Sequence, residues 1–425
     1  MGSKKLKAFC AARGHVSLAV KDPDGLVAAA KNIYDRIMAD PGTRATFDWG
    51  TGGTIEGAES RITSGMLPVK NYLTNIYPEA RITSTQYGRE RWKAVNTPCW
   101  ACRSHHCHMV TFTEGPYKGM TVEEPEYEMY AAWGPLVGNT DAAEVLVMAH
   151  LCTDLGLESN EAGFLVSMVI ELYEKGVLTK EDTGGLDLKW GNAAAIKQLL
   201  ERIARRDGRF ANLLAEGTFR AVKALGPEAE QCGIYSMTGI SPRGHDHRAM
   251  WREMFDTATS DIGTYASGYI GPTDPDVTSL KDPFSPEDVS SHIALAQGRR
   301  QFEDVLGTCT FNTRVPFRHV LAAFNAATGW DFTPKEAMDV GYRLTNVLRA
   351  FNLRHGTTVD SERPSARWSS APVDGPAKGI TIQPHWDSML DNYYKLMGWE
   401  RKTGKPLPET LKALGLENVT KELYP

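Results

Sequence analysis

The chain lacks any uninterrupted apolar run of the ~18 residues that a membrane-spanning helix needs. It also lacks a basic excess: 47 Lys and Arg stand against 52 Asp and Glu, and a net charge of −5 offers no footprint for nucleic acid. The N-terminal MGSKKLKAFCAARGHVSLAV is basic, but Arg13, Gly14 and His15 interrupt its apolar portion. A secretory signal core is therefore missing, and a cytoplasmic location is expected. Alternating strand patterns are scarce. Cysteine is sparse too, with seven in 425 residues, and the odd, clustered set fits metal ligation in a reducing compartment better than a disulfide framework.

What is present is apolar material in helical spacing. With 42% hydrophobic and 23% charged residues, the chain has enough for two or three globular domains. DPDGLVAAAKNIYDRIM reads as a helix capped by Asp22, with Pro23 at its first position and Leu26, Ala29, Ile33 and Ile37 on one face. Residues 42–98 suit short helices and loops. From Asp141 onward helical patterns dominate, in AAEVLVMAHLCTDLGL, EAGFLVSMVIELYEKG and GNAAAIKQLLERIARR. The first twenty residues suit a strand or hairpin, and residues 271–284 and 361–380 suit proline-rich loops.

An internal echo runs through these patterns. Asp154-Leu155-Gly156-Leu157 precedes two helical segments that close at Gly208, 54 residues on. Asp304-Val305-Leu306-Gly307 precedes two more that close at Gly356, 52 residues on. Matched order at matched spacing predicts two helical units related by a pseudo-two-fold, suited to a ligand with two similar halves.

The chemistry concentrates in CWACRSHHCH (99–108), where Cys99, Cys102 and Cys107 fall within nine positions. Soft thiolates select iron–sulfur clusters, zinc or copper(I). His105, His106 and His108 could complete a zinc site locally, although their spacing is not that of a zinc finger. A [4Fe–4S] cluster needs a fourth cysteine, from Cys10, Cys152, Cys232 or Cys309. Cys152 lies on an apolar helix face, and Cys232 and Cys10 read as packing residues. Cys309 belongs to the second echo, as DVLGTC, and is the expected ligand. Two further segments carry charge: PEYE (125–128), with Glu126 and Glu128, where a glutamate at a helix start also simply suits the dipole; and SPRGHDHR (241–248), with His245 and His247 on a turn that could equally be a charged surface loop.

The cysteine loop, then PEYE, then Asp-x-x-Gly-Leu, then Asp-x-x-Gly-x-Cys resembles the tungsten-dependent aldehyde:ferredoxin oxidoreductases. GSKKLKA (2–8), LLAEGTFRA (213–221), FNLRHGTT (351–358) and YYKLMGWERKTGKP (393–406) extend the likeness over almost the whole chain. The resemblance implies a mainly α fold with two multihelical domains, 21–230 and 231–425, after a β remnant at 1–20. It implies that Cys99, Cys102, Cys107 and Cys309 hold a [4Fe–4S] cluster. Asp154 and Asp304 would bind the two pterins of a tungsten or molybdenum bis-pyranopterin, with Gly156, Leu157 and Gly307 beside them. Glu128, with Glu126 as the second candidate, would orient or deprotonate water or substrate. The implied reaction oxidises an aldehyde to a carboxylate, with ferredoxin or another electron-transfer subunit as acceptor.

Two departures from the family pattern matter. Tyr265 and Ala266 stand where aldehyde-oxidising members carry a histidine, and the Cys-x4-Cys spacing is long. Both bring closer the tungsten subunit of benzoyl-CoA reductases, which reduces an aromatic thioester. The family's β-rich N-terminal domain would precede Met1, so a fragment, or a split enzyme whose N-terminal domain is a separate chain, is expected. A non-catalytic subunit bearing a cluster or zinc is the third alternative.

Overall fold

The computed structural model describes residues 5, 6, 8–10, 14, 19–99, 102–104, 106–263 and 273–424. The strand or hairpin expected over residues 1–20 lies largely outside the described residues, as do His105, Tyr265 and Ala266 wholly. Helix dominates: 18 α-helices against two small antiparallel sheets among the described residues. The larger sheet joins Lys93–Asn96, His108–Thr111 and Thr121–Glu123, with Ala94 opposite Val110 and Val110 opposite Val122. Its first hairpin connection is the cysteine loop.

Local chemistry sets the helix ends. Asp22 accepts from Gly25 N–H at 2.9 Å to open Pro23–Ala39. Asp141 and Asn192 cap Ala142–Leu155 and Ala193–Arg205 in the same way. Thr333 and Glu336 form a reciprocal capping box, so FTPKEAM supplies the first turns of one long helix, Pro334–Arg354.

The echo appears as repeated connectivity. Ala142–Leu155 ends at Gly156 (φ 70°), and Pro286–Val305 is followed by Gly307 (φ 67°), both left-handed positions that favour glycine. Two helices follow each: Ser159–Glu174 and Ala193–Arg205 in the first copy, Phe317–Thr328 and Pro334–Arg354 in the second. In each copy the second of these packs back on the helix that precedes the glycine.

Three large cores result. One gathers side chains from Leu67 to Tyr235, including Trp133, Met168 and Leu200. A second centres on Trp251, Phe255, Trp368 and Trp386, yet also takes Tyr72, Leu136 and Phe164 from the first half, so the halves share it. A third joins Ile37 and Phe47 to Phe302, Phe317 and Val320. The helix Pro23–Ala39, expected with the first domain, thus lies on Phe317–Thr328 of the second. Backbone bonds from Lys21 and Asp22 N–H to Ala327 and Ala326 carbonyls, at 3.0 and 2.9 Å, pin it there.

Helices Pro286–Val305 and Pro334–Arg354 cross at Gly298 and Gly341. A Cβ on Gly341 would stand 1.8 Å from the Gly298 carbonyl oxygen. Gly341→Ala must therefore spread a helix pair that leads directly to Asp304 and Cys309. It should destabilise the fold by about 1–3 kcal/mol, measured by chemical denaturation, whereas overpacking this strong makes a neutral result incompatible with the crossing.

Candidate functional site

The cysteine loop is tied down by backbone and by charge. Thr97 N–H bonds the Cys107 carbonyl at 2.9 Å and Cys102 N–H the Cys99 carbonyl at 3.1 Å. Arg89 donates to the His106 carbonyl at 2.9 Å and pairs with Glu124 at 2.6 Å. All seven cysteines are free thiols. The turn carrying Cys309 meets this loop: Asn312 Nδ2 lies 3.8 Å from Cys102 Sγ, and the Phe311 ring stands edge-on to His106 at 5.8 Å. Burial, with Glu126 and Cys99 nearby, pushes the Cys107 thiol up to about 12. Cys152 and Cys232 are buried, as expected of packing residues. Cys10 is exposed, which corrects its reading as a packing residue: no element among the described residues covers it.

The next helix, Tyr127–Trp133, separates the two glutamates. Glu126 is its N-cap residue and turns toward the cysteine loop, accepting from Thr51 and lying 3.3 Å from His106 Nε2. Burial alone would raise its carboxyl; the bonds from His106 and Thr51 prevail and lower it. Glu128, in the first turn, faces instead a cavity of about 700 Å³. Arg243 donates to it at 2.6 Å.

That arginine comes from SPRGHDHR, and the structure buries this segment. His245, Asp246, His247 and Arg248 are all under 9% exposed, so the surface-loop alternative is excluded. The approach is close: a Cβ on Gly244 would meet Ala131 Cβ at 2.9 Å and the Glu128 carbonyl at 3.0 Å. Tyr72 Oη donates to the His245 carbonyl at 2.5 Å, and the Asp246–Arg248 pair, at 2.6 Å, is sealed by Asn75. Tyr72 itself follows Lys70 and Asn71, three successive non-glycine residues with positive φ (44°, 54° and 64°). Such backbone costs about 1–3 kcal/mol per residue. Asn71 Nδ2 offsets part of it by bonding Glu171 at 2.6 Å and the Cys232 carbonyl at 2.9 Å.

Behind Arg243 sits Glu253, on Trp251–Thr259. A single oxygen, Oε2, meets Arg243 at 2.9 Å, His245 Nδ1 at 2.8 Å and His247 Nε2 at 3.4 Å. Burial opposes its charge, but Arg243 and the two histidines overcome this and hold the carboxyl well below the usual range. Burial lowers the His247 imidazole, against the pull of Glu253.

The paired aspartates lie elsewhere. Asp154 ends its helix with 63% of its side chain exposed, 3.4 Å from His150 Nε2. Asp304 pairs with Arg300 at 2.8 Å, and burial pushes its carboxyl up against that charge. Neither lines the Glu128 cavity. Leu157 N–H bonds the Cys152 carbonyl at 2.9 Å, closing the helix end. Among the described residues, nothing beyond the chain neighbours comes within 4 Å of an added Cβ at Gly156 or Gly307, so there is open ground beside both aspartates. Arg243 and Glu253 are the site residues that sequence reasoning passed over. The first lies inside SPRGHDHR, where the histidines carry the clearer signal, and the second lies in MWREMFDTAT with no motif around it.

A family model described as aldehyde ferredoxin oxidoreductase, domains 2 and 3, matches residues 28–416. The chain belongs to the aldehyde ferredoxin oxidoreductase family. A tungsten-containing aldehyde ferredoxin oxidoreductase of Pyrococcus furiosus is 30% identical over 98% of this chain and 68% of its own length. An aliphatic sulfonate oxidoreductase, WOR-like subunit, of the same organism is 26% identical over 100% of this chain and 66% of its own. The active-site complex BamBC of benzoyl coenzyme A reductase shares the fold, with a TM-score of 0.75 at 18% identity over 97% of this chain and 68% of that one. The aldehyde ferredoxin oxidoreductase family is one of oxidoreductase enzymes, and its mainly α domains 2 and 3 are what this fold presents. Among the described residues no helix is long and apolar enough to cross a membrane.

Glu253 also governs acid stability. Its native carboxyl lies below the ordinary 4.5, so its contribution is complete above that pH and is lost as pH falls through the lower native value. Glu253→Gln should cost about 3–5 kcal/mol at pH 7 and converge with the wild type in strong acid, as read from denaturation midpoints across pH.

Proposed function

We propose that this chain carries the cluster and most of the cofactor cradle of a tungsten (or molybdenum) bis-pyranopterin oxidoreductase. Its reaction is the oxidation of an aldehyde to a carboxylate, with ferredoxin or another electron-transfer subunit as acceptor. The observation that carries the reading is the Glu128–Arg243 pair in a cavity wall, on the helix whose N-cap residue, Glu126, reaches the cysteine loop.

The residues suit the groups assigned to them. Cys99, Cys102, Cys107 and Cys309 are free thiols on two turns in contact, the soft donor set of an iron–sulfur cluster. Three thiolates on one zinc ion would crowd their sulfurs, yet among the described residues the groups of three ligand atoms within 4.8 Å are His106–Cys107–Glu126 and His245–His247–Glu253, neither with more than one cysteine. Asp154 and Asp304 offer acceptor oxygens beside open glycines, fitted to the donor edge of a pterin. When bound, the pterin-held metal would supply a two-electron acceptor and the cluster a one-electron outlet.

Glu128 then holds and orients the water that adds to the aldehyde carbon. Arg243 holds its carboxylate in place, and the cavity wall of Tyr127 and Arg61 limits bulk water. Glu126, on the other side of the same helix, braces His106 against Cys107.

Anaerobically purified protein should contain about four irons per chain for one cluster, with near-stoichiometric tungsten or molybdenum. Cys309→Ala should bleach the cluster, whereas Cys152→Ala should keep it; the reverse would reassign the fourth ligand. Glu128→Gln should lower kcat for aldehyde oxidation about 10²–10⁴-fold with metal content unchanged. Reduction of an aromatic thioester in place of aldehyde oxidation would sink the proposed direction of electron flow.

A further inference from the structure

The cavity wall holds a base that this reading leaves unused. His245 lines the cavity and keeps 9% of its side chain exposed. Its Nδ1 lies 2.8 Å from Glu253 Oε2. A carboxylate only accepts, so Nδ1 carries the hydrogen, and in the neutral ring the lone pair falls to Nε2, the nitrogen left to the cavity. The ring is held in place on three sides. Tyr127 lies over it at 4.8 Å between centroids, Tyr72 fixes its carbonyl, and Glu253 holds Nδ1. Arg243 joins this base to Glu128, since the same guanidinium donates to Glu128 at 2.6 Å and to Glu253 at 2.9 Å.

His245, His247 and Glu253 also have the makeup of a metal site, with three ligand atoms within 4.8 Å of one another. The Arg243 guanidinium argues against an ion. It lies on the same carboxylate oxygen and already brings the positive charge that an ion would supply.

We propose that His245 is a further catalytic residue of the cavity, the acceptor of the proton that the attacking water releases, with Glu253 as its positioning residue. The proposal rests on the aldehyde-oxidising reading above. Aldehyde and water yield the carboxylate, three protons and two electrons. The electrons go to the two-electron acceptor that the reading assigns. As the water oxygen bonds to the carbonyl carbon, one O–H bond breaks and an N–H bond forms at Nε2; the aldehyde C–H bond then breaks, its electron pair going to that acceptor, and the other two protons, one from C–H and one from the second O–H, leave to solvent. The imidazolium is then balanced by the Glu253 carboxylate, the arrangement by which a buried carboxylate supports a histidine base.

The test uses the full metal-loaded enzyme with iron and tungsten measured for each variant. His245→Gln should lower kcat/KM for an aldehyde about 10²–10³-fold, through kcat and with KM little changed. Glu253→Gln should lower kcat by a smaller factor with KM unchanged, and Glu253→Asp should restore part of it. A readout independent of turnover is carbethoxylation by diethyl pyrocarbonate, located by mass spectrometry. His245 should react in the wild type and be protected by a bound carboxylate product, while buried His247 should not react. An active wild type with an equally active His245→Gln overturns this proposal alone. A metal-loaded wild type that oxidises no aldehyde overturns the parent reading and this proposal with it. Zinc or iron beyond the cluster, lost in both His245→Gln and His247→Gln, overturns it in favour of a metal site.

Discussion

A buried carboxylate stays ionised only if its neighbours replace the water it has lost, and Glu253 meets that condition with three side chains on one oxygen. Arg243 and the two histidines come from a single turn, so the charge of Glu253 dictates where that turn can sit. Arg243 then extends the constraint to Glu128 and to the helix Tyr127–Trp133. Remove the carboxylate and the turn has a guanidinium and two imidazoles facing one another with nothing between them. The position of Arg243 against Glu128 and the burial of His247 both draw on this one ion.

The helix Tyr127–Trp133 gives the site its two-sidedness. Glu126 and Glu128 are only two residues apart, yet one faces the thiol loop and the other the cavity, because positions two apart point to different sides of a helix. A single short element therefore places one carboxylate beside the sulfur-rich region and another in the wall of the cavity. The Cys309 turn approaches the same loop from the far end of the chain, at the foot of the helix fixed by the Gly298–Gly341 crossing.

Much of this was legible in the chain itself. The Asp-x-x-Gly echo corresponds to real repeated connectivity, because left-handed glycines and helix spacing are local properties. The cysteine window and DVLGTC stand out in the sequence as residue types whose chemistry narrows their use, and the fold brings the turn after DVLGTC against the window. What escaped were partnerships made at a distance. Arg243 looks like any loop arginine until Glu128, 115 residues earlier, is folded against it. Glu253 has no signal of its own, since a lone acid in an amphipathic helix ordinarily faces solvent. The placement of Pro23–Ala39 on the second half escaped likewise, because an apolar face does not say which partner will cover it.

The turn at Lys70, Asn71 and Tyr72 ties together segments far apart in the chain. Its left-handed backbone is unfavourable by itself. It is offset partly by local bonds from Leu73 N–H to the Val69 and Lys70 carbonyls, at 3.2 and 3.1 Å, and partly by side-chain bonds to Glu171, Cys232 and His245, 100 to 173 residues away. The turn thus acts as a latch: a change at any of these distant partners reaches the cavity wall through the Tyr72 bond that holds His245.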